Sequence, residues 1–196
     1  MRQLRNKIDF FDETFDRAEQ LPRTFSATFS AVGTNQVRVI SDCDYQLGDV
    51  IDDNSYDSDF YRYHDIFHYS FATILGWSPC TRAMMKRKRK SDSLIDSVED
   101  GARATITEEA LSMVIFNEAK RKNYFVDTKK ISRSTLRIIK EMTANFEVKV
   151  RSLKDWENSI LKAYEIFRLL VKNQGGRVDF NLETAEISYT APVTSN

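Results

Sequence analysis

Cysteine, proline and glycine are scarce in this chain of 196 residues, which has two, three and six of them. Two cysteines, Cys43 and Cys80, are too few for a disulfide framework or a four-cysteine zinc site, and their use fits a reducing cytosol. The shortage of turn formers argues against a many-turned β-sandwich and for long helices. No run approaches the roughly 18 apolar residues of a membrane span, and the N-terminus MRQLRNKIDFFDETFDR has no signal-peptide core. The phosphate-cradling G-x-x-x-x-G-K-[ST], the dinucleotide pattern G-x-G-x-x-G and the serine-hydrolase elbow G-x-S-x-G are all missing. The expectation is a globular, cytoplasmic protein with no membrane association.

Net charge is absent too, 29 Lys and Arg against 29 Asp and Glu, but the charges are segregated. Seven aspartates and no Lys or Arg lie between Asp42 and Asp59, whereas Lys86 to Lys90 is five consecutive cations with Arg82 a turn earlier. With 41% apolar and 12% aromatic residues the chain has the means to bury a core.

Apolar spacing predicts an amphipathic helix through Leu4, Ile8, Phe11, Phe15 and Ala18, ended at Leu21-Pro22. TFSATFSAV and VRVIS read as strands joined by a Gly/Asn turn, and the aspartate stretch reads as a loop. Helices are expected from Asp59 to Leu75, from Ser78-Pro79 through the basic run, in a short segment after Asp92, and from Arg103 to Lys122 with an apolar middle buried all round. Two more should turn Ile131, Ile138, Ile139, Met142 and Phe146, then Trp156, Ile160, Tyr164, Phe167 and Val171, inward. After Gly175-Gly176, VDFNLETAEISYT alternates as a hairpin. The fold expected is α+β and mostly α, a helical bundle with one small antiparallel sheet built from an N-terminal and a C-terminal hairpin. Residues 1–21 are read as an N-terminal helix or connector, 22–191 as one domain and 192–196 as a frayed tail.

The only histidines, His64 and His68, lie a helical turn apart with Asp65 beside the first. Histidines at i and i+4 can share a metal ion. On a helix from Asp59, His64 falls on the buried face with Phe60, Phe67 and Phe71, His68 at its edge and Asp65 beyond. Asp65 is too short for the glutamate of H-E-x-x-H, and no histidine precedes His64 to complete an H…HD…D phosphohydrolase. Glu99, Asp100, Glu108 and Glu109 are a second acidic constellation, suited to Mg²⁺ against a polyphosphate or to a helix N-terminus. Arg87, Lys88 and Arg89 of the basic run, with Arg103, could clamp phosphates. No aromatics interleave with the run, which argues against nucleic acid as a partner.

These motifs occur together in one recognisable order. R-Y-H-D-I-F-H, from Arg62 to His68, is followed by L-G-W-S-P at Leu75 to Pro79, K-R-K-R-K-S-D at Lys86 to Asp92, E-D-G-A-R at Glu99 to Arg103 and the pair Glu108-Glu109. The run resembles the C-terminal domain of MazG-like nucleoside triphosphate pyrophosphohydrolases, here as a stand-alone chain, and the likeness extends through Trp156-Glu157 and Tyr164-Glu165 to the NQGG hairpin. The resemblance implies nucleotide metabolism: metal-dependent hydrolysis of a nucleoside triphosphate or related nucleotide, with Mg²⁺ or Mn²⁺ as cofactor. It does not carry over the MazG catalytic acids. Where MazG has E-E-x-x-E followed by E-x-x-D, this chain has Ser112 after Glu108-Glu109 and Arg121 after Glu118.

Two readings follow. In one, His64, Asp65, His68 and Glu109 are catalytic, Asp65, Glu99, Asp100, Glu108 and Glu109 hold the metal, and Arg87, Lys88, Arg89 and Arg103 bind substrate phosphates. In the other, the chain is a non-catalytic nucleotide sensor or a partner of a separate MazG-type or defence protein. Related pyrophosphohydrolases pair their helices across dimers, so a homodimer is a possible assembly.

Overall fold

A computed structural model of the protein describes residues 10–193. Five strands form one antiparallel sheet: β1 (Thr24–Val32), β2 (Gln36–Ser41), β3 (Ile51–Asp52), β4 (Gly175–Asn181) and β5 (Glu186–Thr190), in the order β3-β2-β1-β4-β5. The helices are α1 (Asp65–Leu75), α2 (Pro79–Met84), α3 (Ser93–Val98), α4 (Ala102–Arg121), α5 (Arg133–Met142) and α6 (Leu153–Asn173). The expected α+β architecture holds: the N-terminal hairpin β1–β2 meets the C-terminal hairpin β4–β5 through β1 and β4, with Phe25 opposite Phe180 and Ala27 opposite Val178. Among the described residues no helix is long and apolar enough to cross a membrane.

Helix α1 lies between the sheet and α6. Its Tyr69 meets Phe25, Phe29 and Phe180 edge-on, while Phe67 stacks on Tyr164 at 4.7 Å and Phe71 meets Trp156 at 5.4 Å. Large aromatic rings in offset and edge geometries supply most of this core. Gly176 is required where β4 leaves α6: at φ +138° a Cβ there would lie 2.5 Å from the Tyr189 ring.

Four expectations change in ways that bear on the site. Leu4 and Ile8 lie outside the described residues. Residues 11–20 make a series of turns, not a helix. The carbonyls of Phe11, Arg17 and Glu19, which a helix would use internally, accept instead from Arg89, Arg87 and Arg82. Helix α1 starts at Asp65, not Asp59, because the Asp53 carboxylate captures the backbone N–H groups of Phe60 and Arg62 and holds a 3-10 turn at Tyr61–Tyr63. The basic run is not helical: Lys86 is left-handed at φ 56°, and the Arg89 backbone N–H donates to Asp100. Ile106 and Met113 are exposed on α4, and Ile138 and Met142 on α5, so neither expected inward face is complete; Leu136 and Ile139 are the α5 residues that pack inward. The aspartate stretch is mostly loop, as read, with β3 inside it.

The strap of residues 10–23 is clasped by charge. Asp12 is buried and accepts from the Leu21 N–H at 2.8 Å, from Arg23 at 2.8 Å and from Arg82 at 2.8 Å. Burial pushes the Asp12 carboxyl up, but Arg23 and Arg82 outweigh it and hold it below its ordinary 3.8. A carboxylate depressed on folding stabilises fully above its unfolded pKa and loses that contribution as pH falls through the folded value. Asp12→Asn should therefore lower stability by about 3 kcal/mol at neutral pH. The difference from wild type should shrink at a pH well below the ordinary carboxylate value of 3.8. Urea midpoints at both pH values measure this, and an unchanged midpoint at pH 7 would remove the clasp from the account.

Candidate functional site

Helix α1 begins at a residue that also serves the site. His64 caps it, and the 3-10 turn before it places the Tyr61 carbonyl 3.0 Å from His64 Nδ1. The Tyr61 ring lies flat on the His64 ring, with centroids 4.2 Å apart and planes 4° apart. One turn on, His68 is 1% exposed and its Nδ1 lies 2.8 Å from Glu108 Oε1 of α4. Both imidazoles thus meet an acceptor at Nδ1, which puts the proton there and leaves Nε2 as the free face of each ring. His64 Nε2 lies 3.5 Å from Asp65 Oδ1, and His68 Nε2, buried without a hydrogen-bond partner, lies 3.4 Å from Glu109 Oε1. The rings cross nearly perpendicularly, 5.5 Å apart.

The later start of α1 reverses the expected fan. His68 and Asp65 are the buried members, at 1% and 5% exposure, and His64 is the half-buried one. Glu108 does not open its helix: α4 begins at Ala102, and Glu108 reaches its fully buried position two turns in. There it accepts from Ser78 Oγ at 2.7 Å and from the Cys80 N–H at 2.8 Å in addition to His68. The Ser78-Pro79 start expected for α2 holds, with Ser78 capping Thr81. Glu109, on the next residue, has a side chain 46% exposed and is the solvent-facing member of the cluster.

Burial and charge separate the titrating groups. Burial, then the neighbouring His68, pushes His64 down to about 4. Burial raises the Asp65 carboxyl to about 6, against the pull of His68. Burial would lower His68, but the sulfur of Cys80 and the carboxylate of Glu108 outweigh it and hold His68 well above its ordinary value. Glu109 resists its own burial through contact with His68 and is drawn down to about 2. Tyr61 rises to about 12, through burial and then the charge of Glu109, so its hydroxyl keeps its proton. Paired groups driven apart in this way mark a candidate acid–base or ligand site.

Ligand atoms of His64, Asp65 and His68 all lie within 4.8 Å of one another, as do those of His68, Cys80 and Glu108. The second set is less able to bind an ion, because Glu108 is already committed to three donors. Of the residues singled out in the sequence, His64, Asp65, His68, Glu108 and Glu109 come together. Glu99 and Asp100 do not join them. Asp100 takes the Arg89 guanidinium in a two-pronged pair at 2.8 and 3.1 Å, and Glu99 accepts from the Glu147 N–H. Arg89 is itself buried and also donates to Glu147 and the Phe11 carbonyl; Arg87 donates to the Arg17 carbonyl. Lys88 is half-buried and Arg103 is exposed on α4.

Tyr61, Ser78 and Cys80 belong to the site and were not singled out. The available signals were Tyr61 three residues before His64 and Ser78-Pro79-Cys80 as the cap of a short helix. Gly48 is a fourth. At φ +68° it brings the aspartate loop against the site, where a Cβ would lie 3.1 Å from Met84 Sδ and 3.6 Å from Asp65 Oδ2.

A family model described as the MazG C-terminal domain matches residues 6–193. No curated protein and no solved structure matches the chain.

Glu108 and His68 should be energetically coupled. Glu108→Gln would leave one of three buried donors without an acceptor, a loss of about 1–3 kcal/mol. In a double-mutant cycle with His68→Gln, unfolding free energies should give a coupling above roughly 1 kcal/mol. Additive losses would mean that the 2.8 Å contact does not organise the site.

Proposed function

The chain belongs to the MazG C-terminal domain family, and from that premise we propose that it hydrolyses nucleoside triphosphates to the monophosphate and pyrophosphate at the His64–Asp65–His68–Glu109 cluster. The observation that carries this reading is that ligand atoms of His64, Asp65 and His68 lie within 4.8 Å of one another, with the half-exposed Glu109 carboxylate 3.4 Å from His68 Nε2. The donor chemistry fits a divalent cation held by His64, Asp65 and His68, because both Nδ1 atoms are already taken by acceptors, and its binding would displace the Nε2 proton that His68 carries in the ion's absence. Such an ion would supply positive charge to the phosphoryl oxygens and make an attacking water easier to deprotonate. Mg²⁺ would enter with the triphosphate as part of the substrate.

The chain's own residues account for the remaining steps. Glu109, ionised and half-exposed, takes the proton of the water that attacks the α-phosphorus. The new bond is from that water oxygen to phosphorus, and the bond that breaks is to the bridging oxygen, which leaves with pyrophosphate. Tyr61, its hydroxyl protonated, donates to a phosphate oxygen. Of the four cations expected on the phosphates, Arg103, on the same helix as Glu109, is the one assigned the role, since the guanidinium of Arg89 is fully engaged, Arg87 is tied to the strap and Lys88 adjoins the Arg89 assembly. Arg103 precedes Glu109 on α4 by about 9 Å along the helix axis.

Purified chain supplied with a panel of NTPs and dNTPs should release pyrophosphate, and chelation of divalent ions should stop it. Glu109→Gln should lower turnover by about 100-fold or more without unfolding the protein. Equal turnover in the variant would exclude Glu109 as the base. A folded wild type that binds nucleotide but releases nothing would favour the sensor or partner reading, which the missing MazG acids at Ser112 and Arg121 support.

A further inference from the structure

Two distances in the cluster are long for charge-assisted hydrogen bonds and match a second kind of contact. His64 Nε2 to Asp65 Oδ1 is 3.5 Å, and His68 Nε2 to Glu109 Oε1 is 3.4 Å. Two donors that each lie about 2.1 Å from one shared ion, at a tetrahedral angle, are about 3.4 Å apart. His68 Nε2 is buried with no hydrogen-bond partner, beside the Glu109 carboxylate. A polar atom left bare in that position points to a ligand.

The identity of the donors narrows the ion. Two imidazole nitrogens and one carboxylate, on one turn of helix, are three donors within reach of one ion and leave its further positions to other ligands. Mg²⁺ prefers oxygen donors in near-ideal octahedral geometry and keeps most of its water, which two buried imidazoles do not suit. First-row transition ions bind imidazole far better. The surroundings agree. Glu108 takes the Nδ1 side of His68 and the Tyr61 carbonyl takes that of His64, the outer-shell pattern that fixes metal-ligating histidines. The sulfur of Cys80, 3.7 Å from Glu109 Oε1, adds a polarisable donor to the wall.

We propose that His64, Asp65 and His68, with Glu109 beside them, hold one resident first-row transition ion of the Mn²⁺, Fe²⁺ or Zn²⁺ class, and that this site discriminates against Mg²⁺. This deepens the reading of the cluster as a metal site and does not depend on its acting on nucleotides.

The test uses the full chain, stripped with chelator and shown to be folded, with no nucleotide present. Calorimetric titrations with Zn²⁺, Mn²⁺ and Mg²⁺ give stoichiometry and affinity, and Co²⁺ absorption reports nitrogen ligation directly. One transition ion per chain, bound at least roughly 100-fold more tightly than Mg²⁺, is the expected result. His64→Gln, at the half-buried ligand, should weaken it about 10-fold or more while leaving the fold intact. Asp65→Asn serves as a second variant should either prove unstable. Mg²⁺ affinity equal to that of the transition ions, no binding to folded protein, or unchanged binding in both variants would overturn the assignment. Pyrophosphate release without tight binding would overturn it and keep the hydrolysis reading; tight binding without release would do the reverse.

Discussion

Glu108 is a carboxylate removed completely from water, and such a group is tolerated only when its oxygens find donors. It finds three: the His68 ring, the Ser78 hydroxyl and the Cys80 backbone N–H. These belong to α1, to the turn that caps α2 and to the first turn of α2, so one side chain on α4 joins three segments. The bonds are directional, and their direction has consequences beyond stability. By accepting at Nδ1 the carboxylate turns Nε2 of His68 towards Glu109. If Glu108 were an apolar residue of similar size the helices could still pack, but the His68 ring would be free to rotate.

A second buried ionic assembly has a different outcome. Arg89 spends its whole guanidinium on Asp100, Glu147 and the Phe11 carbonyl, and Arg82 reaches Asp12 and the Glu19 carbonyl. Here each guanidinium and carboxylate finds a partner, and the assembly fastens the strap. The contrast separates a scaffold from a site by a physical criterion. Both hold acids and bases at low dielectric, but only the histidine cluster keeps an unsatisfied atom and a solvent-facing carboxylate.

Patterns of short period were legible in the sequence. The two hairpins, the Ser78-Pro79 cap and the inward residues Trp156, Ile160, Tyr164 and Phe167 follow from alternation, cap chemistry and helical spacing, and the structure keeps them. What escaped was long-range capture of backbone groups by side chains. Asp53 takes two N–H groups that a helix from Asp59 would have owned, which delays α1 and rotates His64 outward and His68 inward. Asp12 and three arginines do the same to the expected N-terminal helix. No periodicity reports such events, because the partners lie far apart in the chain. The motif order named five residues that the structure brings together, and for the same reason it added Glu99 and Asp100, which the structure places in another cluster. It names residues used together, without saying in which of two buried clusters.

The pairing of β1 with β4 joins residues near position 27 to residues near position 178. Contacts of such separation form late, because the loop between them must close first. During synthesis the β1–β2 hairpin and most of the helices leave the ribosome before the strand that completes their sheet exists. For that interval the edge of β1 is an open row of amide groups beside unburied Phe25 and Phe29, the kind of surface that recruits chaperones or another nascent copy. The chain's vulnerability is therefore one of timing, concentrated in the seconds before Gly175–Asn181 arrives.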